Sequence, residues 1–192
     1  MKVHQALLCS VILVLLISCT GQASSSPVSS TIPLRLGIQT TPIASIPIIA
    51  YSNGYFAEQG LAVNLQSFTD EGIYSELYVF AFSKNYLKNN PAAAEKFLRA
   101  SIKAEEFIKN NPTQAKSIVS NFTKLDPKVL DAIWQRFDFA VVLTPKLAEY
   151  MQQEAVWARE TGKAPATATL PPTETFIDPT ILRSIKPEAV QI

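Results

Sequence analysis

The chain has 192 residues, 47% of them hydrophobic, and its 17 Lys and Arg are set against 16 Asp and Glu for a formal charge of +1. This balance, with no basic run, argues against nucleic acid as a partner. The single histidine, His4, and both cysteines, Cys9 and Cys19, fall within the first nineteen residues, so the rest of the chain holds no zinc or copper site of His and Cys, no Ser-His-Asp or Cys-His nucleophile and no disulfide. Carboxylate-pair and Ser-Lys chemistry stay open, but no spacing argues for either. The expectation is a protein that is not an enzyme, with no metal and no cofactor.

In chain order, Lys2 supplies a positive start and residues 6–17 form an apolar run too short to span a bilayer comfortably. Leu16-Ile17-Ser18-Cys19 ends that run at a cysteine and resembles the lipobox of bacterial lipoprotein signals. Residues 1–18 therefore read as a lipoprotein signal peptide, and Cys19 as the acylated first residue of the mature chain. Each buried acyl CH₂ contributes roughly 0.8 kcal/mol, so two or three chains anchor firmly. An ordinary secretory signal or a membrane helix is the alternative, but the Ser-rich stretch Thr20 to Thr31 lacks the basic residues of a stop-transfer segment. Residues 19–32 read as a flexible tether. The remainder, 33–192, is long enough for one good core.

Residues 33–38 and 61–68 alternate and read as strands. Between them, 43–52 is apolar and reads as a short helix with Pro47 uncomfortable inside it. Asn53-Gly54 stops it, and Tyr55 to Gln59 adds a turn that Gly60 closes. This strand–helix–strand order predicts a parallel βαβ unit. Leu77 to Phe82 reads as a third strand. The fold class expected is α/β with a helical carboxy-terminal half.

From residue 84 the chain reads as helical, punctuated by Asn90-Pro91, Asn111-Pro112, Asp126-Pro127, Thr144-Pro145 and Asp178-Pro179. Each places a capping side chain before a proline at the first helical position. The predicted helices are 91–109, 112–121, 127–135 and 145–161. In the first, Phe97, Leu98, Ile102, Phe107 and Ile108 share an apolar stripe, with Lys96, Arg99, Lys103 and Lys109 on the solvated face. Residues 137–143 read as a strand or an extended segment, and Ala164 to Thr175 as an extended surface connection.

Two stretches carry a family resemblance. Leu36-Gly37-Ile38-Gln39, Asn53-Gly54-Tyr55-Phe56, Gly60-Leu61 and Val63-Asn64-Leu65 resemble the amino-terminal part of ABC-transporter substrate-binding proteins of the nitrate/sulfonate/taurine type, whose relatives include binders of a thiamine pyrimidine precursor. Residues 77–163, with Asn89-Asn90-Pro91, Phe97-Leu98-Arg99-Ala100, Asn111-Pro112, Phe137-Asp138-Phe139 and Leu143-Thr144-Pro145, resemble the carboxy-terminal part of the same family. The resemblance implies a periplasmic-binding-protein-like (type II) α/β fold. A complete member has two lobes and roughly 270–300 residues, well beyond one ordinary core. This chain passes almost directly from Phe68 to Tyr74, so the resemblance implies an internal deletion near residues 69–74. What remains is an incomplete single lobe, with 33–68 as its βαβ part and 77–192 as its helical part.

The function the resemblance implies is solute binding for an ABC importer. The partners would be a small anion or organic nutrient, the permease subunits, and the membrane through the lipid on Cys19, at the extracytoplasmic face. The alternative is a truncated remnant, or a structural surface lipoprotein, that binds nothing. An enzyme of the same fold, the pyrimidine-synthesising type, uses His and Cys that the mature chain lacks.

By the same resemblance, ligand contact falls on the loop after the first strand. Here that is Gln39, Thr40 and Thr41, with Pro42 shaping the turn. A helix amino terminus at the carboxyl end of a strand suits an anion. The plainer reading is that Thr40 or Thr41 only caps the helix. Trp134, Trp157, Tyr51, Tyr55 and Tyr74 are either cleft aromatics or core residues. Asp70 and Glu71 are either a carboxylate pair or a solvated turn.

Overall fold

The computed structural model describes residues 31–68, 77–169, 172 and 175–192. The expectations for the signal peptide, Cys19, Asp70, Glu71 and Tyr74 lie outside these residues.

Strand β1 (Ile32–Gln39) and strand β2 (Leu61–Phe68) pair in parallel, with Ile32 opposite Leu61 and Gln39 opposite Phe68. Their alternation sorts the two faces. Leu34, Ile38 and Leu61 are buried, whereas Arg35 and Gly37 lie opposite Asn64 and Gln66 on an exposed polar face. The crossover between the strands is a 3-10 turn (Pro42–Ala44), helix α1 (Ser45–Ser52) and the short helix α2 (Tyr55–Glu58). Helix α1 is buried from Ser45 to Ala50, which its nearly all-apolar sequence requires. Pro47 occupies the first turn of α1, where its missing N–H has no helical partner to lose. Gly54, at φ +75°, takes the left-handed conformation between the two helices.

The third strand expected over 77–82 does not form. Among the described residues the sheet has two strands, and 77–83 forms neither helix nor ladder. Side chains hold this segment instead. The Tyr86 hydroxyl donates to the Pro33 carbonyl at 2.7 Å, and the Tyr78 hydroxyl is hydrogen-bonded to the Gln39 backbone. Phe80 and Phe82 lie edge-on to Phe97, at ring-centroid distances of 4.8 and 5.4 Å. Helix α3 (Lys84–Asn89) follows, capped by Ser83, whose Oγ accepts the Tyr86 N–H.

Helix α4 (Ala93–Asn110) runs against α1 and α2. Its buried face is Phe97, Ala100, Ser101, Ala104 and Ile108, at helical spacing. The predicted stripe holds in part: Phe97 and Ile108 are buried, Leu98, Ile102 and Phe107 are half-buried against the same core, and Ala100, Ser101 and Ala104 fill the centre of the face. Small residues let α4 approach α1 closely. The basic face is also more than solvated: the Lys96 ammonium donates to the Gln59 carbonyl at 2.6 Å, and Lys103 pairs with Glu58.

Helices α5 (Pro112–Thr123), α6 (Pro127–Ile133) and α7 (Pro145–Glu160) each open on the predicted proline. Of their three caps, only the Asp126 side chain makes the bond, accepting the Lys128 N–H at 2.7 Å. Helix α4 starts two residues beyond Pro91. Helix α8 (Thr180–Ile185) starts after Pro179, with the Asp178 carboxylate accepting the Thr180 N–H. Residues 137–142 form neither helix nor strand, with Phe137 extended, and Leu143 forms a single parallel bridge with Val190. One hydrophobic cluster takes in residues from Leu34 to Ala189, so 33–68 and 77–192 share a core. Among the described residues no helix is long and apolar enough to cross a membrane.

Candidate functional site

A cleft of about 690 Å³ opens where β1 ends and α1 begins. Gln39, Thr41 and Pro42 line it, whereas Thr40 does not. Opposite them stand the segment 77–80, the segment from Ile133 to Thr144, and the first turn of α7. The lining is mostly apolar, with Ile43, Ile46, Phe80, Phe139 and Leu147 among its residues, and Arg136, Asp138 and Lys146 bring charge.

Two Thr-Pro turns meet at this cleft, one opening the 3-10 turn that leads into α1 and the other opening α7, and they are built alike. Thr41-Pro42-Ile43-Ala44 and Thr144-Pro145-Lys146-Leu147 each begin with an extended threonine, at φ −133° and −113°. In each, the N–H of the fourth residue donates to the threonine carbonyl, at 3.0 Å for Ala44 and 3.3 Å for Leu147. Proline has no N–H, so the first donors the two starts offer are those of Ile43 and Lys146.

Neither threonine side chain caps its helix, so the plain capping role expected for Thr41 is not realised. Among the described residues the Thr41 Oγ1 is buried without a hydrogen-bond partner. Leaving a buried hydroxyl unsatisfied costs roughly 1–3 kcal/mol. Such an orphaned group beside a cleft is strain that rotation of the side chain toward a ligand would relieve.

Tyr78 also lines the cleft. Burial pushes its hydroxyl above the ordinary tyrosine range, and the hydrogen bond to the Gln39 backbone offsets part of that rise. The protonated hydroxyl is thus held against the end of β1.

The aromatics singled out from sequence fall elsewhere. Tyr55 and Trp134 are core residues, while Tyr51 and Trp157 are exposed, and none of the four lines the cleft. The cleft aromatics are Tyr78, Phe80, Phe137 and Phe139. Sequence reasoning also passed over Arg136 and Lys146. Their signal was the second Thr-Pro dipeptide, which repeats the first at another helix start. Among the described residues no three His, Cys, Asp or Glu side chains gather as a metal site would require.

Comparison with family models, with curated proteins and with solved structures returns no match for this chain.

Proposed function

We propose that this cleft receives a small organic anion, and that the protein is a lipid-anchored solute-binding component of an ABC importer. The observation that carries this reading is the convergence of two like Thr-Pro helix starts with Arg136 and Lys146 on one cleft. Helix amino termini and cations both favour negative charge. The apolar lining suits an organic body attached to the anionic group more than a bare inorganic ion. The lipobox-like Leu16 to Cys19 and the resemblance to nitrate/sulfonate/taurine binders support the transport role.

A second reading, a remnant that no longer binds, is favoured by one specific feature. Val79 and Val142 line the cleft yet are 54% and 41% exposed, so the described residues do not close over a ligand. Good sites bury most of what they bind.

Thermal unfolding of the full chain in detergent separates the two. The added panel is nitrate, bicarbonate, taurine, alkanesulfonates and the thiamine pyrimidine precursor, each at millimolar concentration. A ligand at a hundredfold its Kd stabilises by about 2.7 kcal/mol, a clear rise in Tm. A rise with an organic anion supports the binding reading. A cooperative melt that none of them moves supports the remnant.

A further inference from the structure

The wall of the cleft from Asp138 to Leu143 is neither helix nor ladder strand, and among the described residues its backbone hydrogen bonds run to two distant parts of the chain. The Glu105 carboxylate, on α4, accepts the Val141 N–H at 3.0 Å. The Lys186 ammonium, just past α8, donates to the Val141 carbonyl at 3.3 Å and to both oxygens of Glu105 at 2.8 and 2.7 Å. Two residues on, Leu143 donates to the Ala189 carbonyl at 2.8 Å and accepts the Gln191 N–H at 2.9 Å. Residues 186–191 thus form a strap along the back of the wall. The residue after Leu143 is Thr144, which opens α7 at the cleft.

We propose that Glu105 and Lys186 are positioning residues for the cleft, acting through Val141 to hold the Thr144–Lys146 turn where an anion would meet it. This rests on reading the cleft as an anion site. The pair is half-buried, with side chains 19% and 22% exposed, so solvent screens it less than the other ion pairs. Both polar groups of Val141 end on these two side chains. Removing either one leaves a Val141 peptide group without its partner and loosens the wall between Phe139, which packs on Trp134, and the Leu143–Val190 bridge.

The test uses the full chain in detergent and the variants Lys186→Met, Glu105→Gln and Lys186→Arg. Two quantities are read: the Kd for methanesulfonate, by calorimetry, and amide hydrogen exchange. For Lys186→Met and Glu105→Gln we expect a Kd raised roughly tenfold and faster exchange at Leu143 and Leu147, whose N–H groups are bonded to the Ala189 and Thr144 carbonyls. Exchange at Ile49 and Ala50 in α1 should not change. Lys186→Arg, which keeps a donor fork for the carboxylate, should restore both quantities. Unchanged exchange at Leu143 and Leu147 would overturn the proposal, and so would exchange that rises equally in α1, since that is a global structural loss. If the unaltered chain binds no methanesulfonate while the exchange pattern appears as expected, the anion reading fails and the positioning of the wall stands.

Discussion

The Tyr86 hydroxyl and the Pro33 carbonyl meet at 2.7 Å across 53 residues of sequence. Together with the Tyr78–Gln39 bond, this contact holds residues 78–86 to β1 at both ends of the strand. The outer edge of β1 is therefore held by tyrosine side chains and not by a strand ladder. A single intramolecular hydrogen bond has a net worth of about 1 kcal/mol. Tyr86→Phe should lower the unfolding free energy by about that amount, read as a shifted urea midpoint at constant m-value. A loss of several kcal/mol would mean the hydroxyl supports more than this seam.

The same two tyrosines give the fold a sensitivity to alkali. Burial pushes both hydroxyls above the ordinary range, with the Gln39 bond opposing it at Tyr78. A group whose folded value is raised stabilises the fold below its unfolded pKa and loses that stabilisation as pH rises through the folded value. Stability should thus fall as pH climbs past the ordinary tyrosine value of about 10. Tyr78→Phe should flatten that fall and remove a late step from the tyrosinate absorbance titration. An equally steep fall in Tyr78→Phe would assign the effect to other groups.

Much of the fold was legible because local patterns and tertiary contacts agree. Strands β1 and β2 alternate, and the prolines at 112, 127 and 145 open helices. The expected strand over 77–82 failed because apolar character alone does not separate a ladder from a segment pinned by its side chains. Phe80 and Phe82 are apolar in order to pack on Phe97. The α4 stripe was incomplete for a related reason. Counting large residues finds Phe97 and Ile108 and passes over Ala100, Ser101 and Ala104, which fill the centre of the buried face. Half of the site was legible as well, since a loop after a first parallel strand is a general place for ligands. Arg136 and Lys146 come from a segment about a hundred residues away, and only the folded chain brings them to Thr41.

Phe97 is the point on which the two halves of the chain converge. It is 1% exposed, stacks on Phe56 at 5.1 Å, and meets Phe80 and Phe82 edge-on. Removing a buried phenylalanine side chain costs roughly 3–5 kcal/mol, the lost transfer energy plus a cavity. A domain of this size has only about 5–15 kcal/mol in total. Phe97→Ala should therefore give a much lowered urea midpoint or no cooperative transition by circular dichroism. Leu98→Ala, on the half-buried side of the same turn, should cost clearly less.

Arg136 and Lys146 should act through charge. Both are exposed at the cleft, so their effect on an anion depends on salt. Hydrogen bonds to charged groups are worth about 1.5–3 kcal/mol, so replacing both by glutamine should weaken binding of an anionic ligand by at least tenfold. At 1 M salt the screening length shrinks to about 3 Å, and the gap between variant and unaltered protein should narrow. Calorimetry at two salt concentrations reads both effects. A gap that ignores salt would mean these side chains contribute by shape.

Thr41 separates the needs of the fold from those of the site. Its Oγ1 is buried and unpartnered while its residue lines the cleft. Replacing an unsatisfied buried hydroxyl by a methyl removes a desolvation cost and breaks no hydrogen bond. The extended backbone at φ −133° and ψ 157° suits a β-branched side chain. Thr41→Val should therefore raise stability by about 1 kcal/mol, seen as a higher Tm. If the hydroxyl turns to meet an anion, the same variant should bind that anion more weakly, and Thr41→Ser should keep the affinity. A Tm that falls in Thr41→Val would show that the hydroxyl already has a partner, and the cleft would lose its orphaned polar group. A Tm that rises with unchanged affinity would leave the anion to the helix starts, Arg136 and Lys146.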